Sequence, residues 1–393
     1  MTRAAPLRVG LVAGESSGDQ LGAALIAALR ERRPDLECFG VAGPKMAAAG
    51  CQAWAGADEL AVMGLTEVVR HLPRLLRLRA SLARRFLAAR PDVFVGIDAP
   101  EFNLGLARRL HARGLTTVQY VSPQVWAWRE GRIRKIGGAC DLVLCLLPFE
   151  TAFYTRHGVA AVFVGHPLAD QIPLEIDRGG ARAALGIPPS ATVVALLPGS
   201  RVGEIERLGA DFLQAAAWLR GQRSDLLFIA PMASGRAREA FERKLAQAHV
   251  ETRIVLIEGC AQQALAACDA AIVASGTATL ETLLSRRPMV VAYRFGALTA
   301  FLLRRLRLVK VPYFSQPNLL AGRALVPELL QEQVSGAALG EALLARLSDR
   351  DYLRELDEEF RKMHETLRGG AAARAAEAIL ALLEAPEGQR RRV

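Results

Sequence analysis

Two short stretches in the second half of the chain carry residue types able to hold a charged oxyanion. Pro198, Gly199, Ser200 and Arg201 follow the apolar run 192–197, and Ser275, Gly276 and Thr277 follow the run 271–274, with Glu281 four residues further on. In both, a small-residue turn opens a helix-like sequence. A helix N-terminus offers unpaired N–H groups and a partial positive charge, which suits a phosphate or diphosphate. Glycine lets such a ligand approach the backbone, and Arg201 adds a two-pronged donor for phosphate oxygens. Glu281, in the first or second turn, could accept hydrogen bonds from two neighbouring sugar hydroxyls. Ordinary helix capping by Ser or Thr, with Glu a few residues later, would leave similar letters. Two such loops in one half-chain, one with a cation and one with a carboxylate, favour a nucleoside diphosphate.

The first half supplies a candidate base. "VGIDAPEFN" ends an apolar run in Asp98, followed by Ala99 and Pro100. A carboxylate at the carboxyl end of a strand can take the proton of a hydroxyl nucleophile, and Pro100 stiffens the loop. Capping of the following helix is the alternative role for Asp98. "VGLVAGESSGDQLG" ends the first run in a loop carrying Glu15 and Ser17, with Asp19 read as a helix-start residue. Trp126 and Trp128 stand beside Pro123 and Arg129, for core packing or for sugar or lipid contact. His166 in "VGHPLAD" has no Ser or Cys motif to complete a hydrolase triad. Neither GxxxxGK[ST] nor GxGxxG occurs, which removes P-loop and dinucleotide readings. Asp349 and Asp351 form one D-x-D, but they open an acidic helix, where carboxylates are favoured anyway. No metal site and no cofactor are expected; arginine and backbone amides must neutralise the diphosphate.

These residues need elements to hold them at strand ends. Apolar runs at 7–13, 93–97, 117–121, 142–146, 192–197, 226–229, 253–257, 271–274 and 289–293 alternate with helix-like stretches rich in Ala, Leu and Arg. Continuous rather than alternating apolar runs mark strands covered on both faces, hence α/β with doubly wound parallel sheets. In such sheets ligands bind beyond the carboxyl ends of the strands. Periodicity lapses around 167–180. The expected division is a domain at 1–172, a second at 173–348, and a helical segment at 349–393 that packs back on the first domain or on a partner subunit. The tail from about residue 386 reads as loose. At 393 residues and 51% apolar content, two cores can form. The six cysteines show neither CxxC nor metal spacing and read as reduced, mostly buried thiols. No apolar stretch reaches the roughly 20 residues of a membrane span, and the N-terminal run is too short for a signal peptide, so the chain is expected to stay inside the cell.

The formal charge of +10 is regional. Seven arginines and one glutamate fall within 63–91, and five basic residues with no acid within 294–310. In the first segment Leu65, Val68, Val69, Leu72, Leu75 and Leu76 recur near helical spacing between arginines, and Pro73 is expected to divide it into two helices. "FLLRRLRLVK" (301–310) has the same character. Apolar, arginine-rich helices suit an anionic membrane surface. An ordinary domain helix with a solvated face is the plainer reading. Aromatic residues are too scarce there for a nucleic-acid stacking platform.

The motifs "VAGESSGD", "VGIDAPEFN", "YVSPQVWAWR", "LPFE", "VGHPLAD", "LLPGSR", "ASGTATLE" and "PNLLAGR" together resemble the lipid-A-disaccharide synthases, in order and over nearly the whole chain. The resemblance implies a GT-B fold, two Rossmann-like domains facing a central cleft. It implies inverting transfer of diacylglucosamine from UDP-diacylglucosamine to the 6-hydroxyl of diacylglucosamine 1-phosphate, forming a β-1,6 disaccharide, on the cytoplasmic face of the inner membrane. On that pattern Asp98 matches the base and Glu15 and Ser17 the acceptor-side loop. Gly199, Ser200, Arg201, Ser275, Gly276, Thr277, Glu281 and Asn318 match positions around UDP. The lead-in "YFSQPNLL" departs from the pattern and leaves Gln316 without a role. The resemblance also implies a homodimer. Another UDP-N-acetylglucosamine transferase, a UDP-sugar epimerase, or a non-catalytic membrane scaffold that binds nucleotide are the alternatives.

Overall fold

The computed structural model describes residues 5–60, 65–128, 130–248, 252–296 and 312–386, without the side chains of 65–71, 127, 128 and 130. The basic segment 301–310, the tail 387–393 and the Trp128 side chain therefore lie outside the described residues. The chain divides into two compact units, the first formed by residues 1–170 and 367–393, the second by 171–366.

In the first unit seven strands form one parallel sheet: β1 (Arg8–Ala13), β2 (Glu37–Ala42), β3 (Cys51–Gly56), β4 (Val93–Ile97), β5 (Thr116–Tyr120), β6 (Leu142–Cys145) and β7 (Ala161–Phe163), in the order β3-β2-β1-β4-β5-β6-β7. Both faces are covered. Val9, Leu11, Val93, Val95 and Ile97 pack with Leu25, Ile26 and Leu29 of helix Ser16–Arg32. Val12 and Phe94 point the other way, onto Leu82, Phe86, Leu106 and Leu110. This two-sided burial is why the strands read as unbroken apolar runs.

The second unit repeats the plan with β8 (Thr192–Leu197), β9 (Leu226–Met232), β10 (Ile254–Glu258), β11 (Ala270–Ala274), β12 (Met289–Tyr293) and β13 (Glu328–Leu330), all parallel, in the order β10-β9-β8-β11-β12-β13. Each sheet reverses its winding between its first and fourth strands, β1/β4 and β8/β11. That reversal leaves a crevice at the carboxyl ends, the usual ligand position in such sheets.

The C-terminal segment splits between the units. Helix Arg350–Leu367 belongs to the second, where Tyr352 Oη donates to the Leu325 carbonyl at 3.1 Å and Arg323 pairs with Glu355 at 3.1 Å. Helix Ala371–Glu384 belongs to the first, burying Ala375, Ala376, Ile379 and Leu382 in its core. Asp170 fixes this return: its carboxylate accepts from the amides of Gly369, Gly370 and Ala371 at 3.0, 2.9 and 2.7 Å. The D-x-D pair is structural, with Asp349 capping through the Tyr352 amide and Asp351 paired with Arg354.

The expected break at Pro73 does not occur. One helix runs Leu65–Ala89 with Pro73 inside it. Pro73 is exposed, so the interruption is one missing backbone donor rather than a buried clash. Leu82 and Phe86 anchor the C-terminal half in the core, while Leu72 (46% exposed) and Leu76 (42%) face solvent and Leu75 is half-buried. Leu65, Val68 and Val69 lie in this helix, but their side chains are outside the described residues. Among those described, no helix is long and apolar enough to cross a membrane.

Candidate active site

In the first unit, Asp98 leaves β4 through a turn the backbone resists. Asp98 and Ala99 have φ of +50° and +40°, and Val121, at the end of neighbouring β5, has +76°. Non-glycine residues there cost about 1–2 kcal/mol each and persist only where surroundings hold them. Two buried amides do the holding. Asn103 Nδ2 donates to the Asp98 and Ile97 carbonyls at 2.8 and 3.2 Å, and Gln119 Nε2 to the Asp98 carbonyl at 3.1 Å. Gly96 makes room for them, since a Cβ there would meet Asn103 Cβ at 2.8 Å and Gln119 Oε1 at 3.2 Å. None of these three was singled out by sequence, although Asn103 closes the quoted motif.

Asp98 does not cap the helix that follows. Helix Pro100–His111 starts from Ala99 with no side-chain cap. The Asp98 carboxyl is instead held above the ordinary carboxylate range by burial, opposed only by the Ala99 amide. A poised, weakly solvated carboxylate at a strand end is equipped to accept a proton. The β1 loop lies against this turn: a Cβ on Gly14 would stand 2.9 Å from Ala99 Cβ. Glu15 and Ser17 are both exposed at the start of helix Ser16–Arg32. Asp19 is removed from the chemistry because its carboxylate accepts from the Lys45 and Met46 amides at 2.9 Å each.

The loop after β5 rests on Glu150, which is 3% exposed. Trp126 Nε1 and the Leu147 amide donate to its carboxylate, each at 3.1 Å. Trp126 is thus a packed residue, edge-on to Phe149. Burial pushes the Glu150 carboxyl up from 4.5 to about 7. A raised acid pKa means stability present in full below pH 4.5 and lost as pH rises through about 7. The difference corresponds to about 3 kcal/mol. Unfolding in urea, followed by the fluorescence of the four tryptophans, three of them in the first unit, is therefore expected to show wild type losing about that much relative to Glu150→Gln between pH 4.5 and 8. Parallel pH profiles would contradict it.

In the second unit the ends of β8, β9, β10 and β11 enclose a cavity of about 500 Å³. Gly199, Ser200, Arg201, Ser275, Gly276, Thr277 and Glu281 all line it. Met232 of β9 and Cys260 from the turn after β10 complete it; Cys260, read from the sequence as one of six structural thiols, is the exposed member of a set of otherwise buried free thiols. Gly199 and Gly276 have φ of +130° and +150°, conformations that L side chains rarely adopt.

The two helix starts differ. Glu204 fills the first: its Oε2 accepts from the Ser200 and Arg201 amides at 2.9 and 3.3 Å. A Cβ on Gly199 would come 2.5 Å from Glu204 Cβ. The expectation that both loops present free amides is thus corrected here, because the chain's own carboxylate occupies one. The second start, helix Thr277–Leu284, has no side-chain cap, and among the described residues the Thr277 and Ala278 amides find no acceptor. Ser275 turns its hydroxyl away, donating to the Phe314 carbonyl at 3.0 Å. The Arg201 side chain is exposed, with no acid partner among the described residues. Burial raises the Glu281 carboxyl above its ordinary range, with no cation or donor among the described residues to offset it. Amides, a guanidinium and a carboxylate without partners among the described residues thus share one cavity.

Asn318 is not part of that lining. It is 1% exposed, and its side chain is consumed internally: Oδ1 accepts from the Leu325 and Val326 amides at 2.7 and 2.8 Å, and Nδ2 donates to the Val326 carbonyl and Glu328 at 2.9 and 2.8 Å. Its placement among ligand-contacting residues is corrected to a structural one, pinning the chain after helix Gln316–Ala321. Glu328 joins it, also accepting from the Phe314 and Ser315 amides at 3.0 and 2.9 Å. The Gln316 amide donates to Thr279 Oγ1 at 3.2 Å, which ties this loop to helix Thr277–Leu284. Among the described residues no group of three acidic, His or Cys side chains could hold a metal ion.

The fold has solved counterparts. A UDP-GlcNAc 2-epimerase from Neisseria meningitidis bound to UDP-GlcNAc superposes with a TM-score of 0.61 at 12% identity, over 96% of this chain and 99% of that one. A UDP-glucosyltransferase from Polygonum tinctorium gives 0.63 at 12% identity, over 98% and 100%. These likenesses place the chain in the GT-B fold class. Relatives in sequence are far nearer. The chain is 53% identical over 378 residues to a lipid-A-disaccharide synthase of Pseudomonas aeruginosa strain UCBPP-PA14, covering 96% of this chain and 98% of that protein. It is 50% identical over 384 residues to one from Escherichia coli O7:K1, covering 98% and 100%. The model of the lipid-A-disaccharide synthetase family matches residues 9–382. A chain matched over nearly its whole length, at half its positions, leaves one assignment: it belongs to the lipid-A-disaccharide synthetase family.

Proposed function

We propose that the chain transfers 2,3-diacylglucosamine from UDP-2,3-diacylglucosamine to the 6-hydroxyl of 2,3-diacylglucosamine 1-phosphate, giving a β-1,6 disaccharide and UDP in lipid A biosynthesis. The observation that carries this reading is the near-full-length identity to relatives named lipid-A-disaccharide synthase. Asp98 takes the acceptor proton as the hydroxyl attacks the anomeric carbon. Arg201 and the amides of Thr277 and Ala278 neutralise the departing diphosphate, and Glu281 accepts from the ribose hydroxyls. Such preset donors are worth most where charge develops in the transition state. One displacement inverts the centre, so no enzyme nucleophile is required.

Both substrates carry acyl chains, so the enzyme works at a bilayer. Leu72 and Leu76, standing out of an arginine-rich helix, support peripheral attachment to an anionic surface on the cytoplasmic face of the inner membrane. A homodimer is part of the same reading. The test is UDP release in neutral detergent from UDP-diacylglucosamine with and without diacylglucosamine 1-phosphate. Release that requires the acceptor is expected. Turnover of the donor without acceptor would point to an epimerase-like reaction, and no turnover would remove the acyl-sugar assignment.

A further inference from the structure

The donor diphosphate and the reacting hydroxyl have partners in the reading above; the phosphate that the acceptor carries does not. A cavity of about 330 Å³ lies within the first unit, and Pro100 and Glu101, which follow the Asp98 turn directly, form part of its wall. That wall is a single face of helix Pro100–His111, continued one and two turns on by Leu104 and Arg108. Facing it are Val125 at the start of the short helix Val125–Trp128, Arg132, and Lys135 and Ile136 of helix Ile133–Gly137.

The charges are lopsided. Arg108 and Lys135 are exposed and have no acid partner among the described residues. Among the described lining residues Glu101 is the acid, and it is engaged by Arg132. Behind Gly105, also in the wall, lies a further cation: a Cβ on Gly105 would collide with Arg79 Nη1, so the missing side chain is what admits this guanidinium. Arg79 Nε is buried and finds no hydrogen-bond partner among the described residues. Burial first, then the Arg109 charge, push the Arg79 pKa down. Leu104, Val125 and Ile136, with Pro100 and Pro123, give the cavity an apolar floor beside Gln124. Cations without an acid partner among the described residues, set round an apolar floor, match an anion joined to a hydrocarbon chain.

We propose that this cavity is the acceptor subsite, in which Arg108 and Lys135 bind the phosphomonoester of an acylated sugar phosphate and Leu104, Val125 and Ile136 receive the start of its acyl chain. The proposal rests on the transfer reading above and assigns its second substrate a place beside the base. Arg108 also sits in the last helical turn, where a cation complements the helix dipole whatever binds nearby. The test therefore turns on the phosphate itself.

Arg108→Gln and Lys135→Gln, in the full chain and in neutral micelles, are to be assayed for UDP release against diacylglucosamine 1-phosphate and against diacylglucosamine lacking the phosphate. Loss of a charge-assisted hydrogen bond should raise the acceptor KM roughly ten- to a hundredfold on the phosphorylated acceptor. On the unphosphorylated acceptor wild type and variants should coincide, and the donor KM should stay within about twofold. Equal losses on both acceptors, or no change in the acceptor KM, would overturn the subsite. So would a loss seen only on anionic vesicles, since that would make these side chains contacts to lipid headgroups. If wild type turns over neither acceptor, the transfer reading falls by itself. The cavity is then judged by equilibrium binding of the two amphiphiles in micelles. A preference for the phosphorylated one that Arg108→Gln and Lys135→Gln abolish would sustain it, and equal binding would reject it.

Discussion

Asp98→Asn is expected to lower kcat by about 10²–10⁴, the usual worth of a positioned general base, while UDP binding is unchanged. Asn is the informative replacement because Asp98 sits at φ +50°. Asn tolerates that conformation, whereas Ala would add backbone strain to the chemical loss. The electrostatics allow an independent check on the same protein. Burial raises the Asp98 pKa, so the folded state holds the ionised carboxylate at a cost that appears as pH rises through that pKa. Removing the charge is therefore expected to leave the variant at least as stable as wild type at neutral pH, in urea unfolding. Wild-type kcat/KM should also fall on acidification at a higher pH than an ordinary carboxylate would dictate. An Asn variant that retains activity would transfer the role to Glu15, the remaining carboxylate of the adjoining loop, since Asp19 is spent on the Lys45 and Met46 amides.

Arg201→Ala is expected to cost about 10²–10³ in kcat, the range seen when one preset transition-state donor is removed. UDP affinity should drop roughly tenfold or more. Stability should hardly move, because the side chain is exposed and without an acid partner among the described residues. That combination separates Arg201 from Asn318. Asn318→Ala removes four buried hydrogen bonds at once and should act first on stability, by about 1–3 kcal/mol or more. Calorimetric titration with UDP, beside urea unfolding of each variant, reads both. Full UDP affinity and turnover in Arg201→Ala would contradict its place at the diphosphate and leave the charge to the amides of Thr277 and Ala278.

The strands that lead to the site were legible because burial on both faces writes itself as an unbroken apolar run, as in β1, β4, β8 and β11. Four strands were not read. β7 and β13 are three-residue edge strands, too short to carry a pattern. β3 is a half-exposed edge strand, and β2 contains Gly40 at φ +146°, where the Leu11 backbone passes through the space of a side chain. The residues lining the nucleotide-sized cavity were legible from their position after strands. What occupies each donor was not. Ser200 and Ser275 look alike in sequence, yet Glu204 fills the amides beside the first, and Phe314 takes the hydroxyl of the second from 39 residues away. The same holds at Asp98. Its type and place could be read, but the strain at its turn is held by Gln119 on the neighbouring strand, a contact no local pattern encodes. Asn318 shows the converse: a residue matched to a ligand site by motif whose side chain turns wholly inward.

The central claim is a single displacement that joins two acylated glucosamines. The measurement that tests it most directly is the anomeric configuration and linkage of the product, by proton and carbon NMR, after wild type acts on α-configured UDP-diacylglucosamine and diacylglucosamine 1-phosphate. A β-1,6 disaccharide, formed in step with UDP and absent with Asp98→Asn, is the expected result. An α linkage, net retention at the anomeric carbon, would contradict a single back-side displacement.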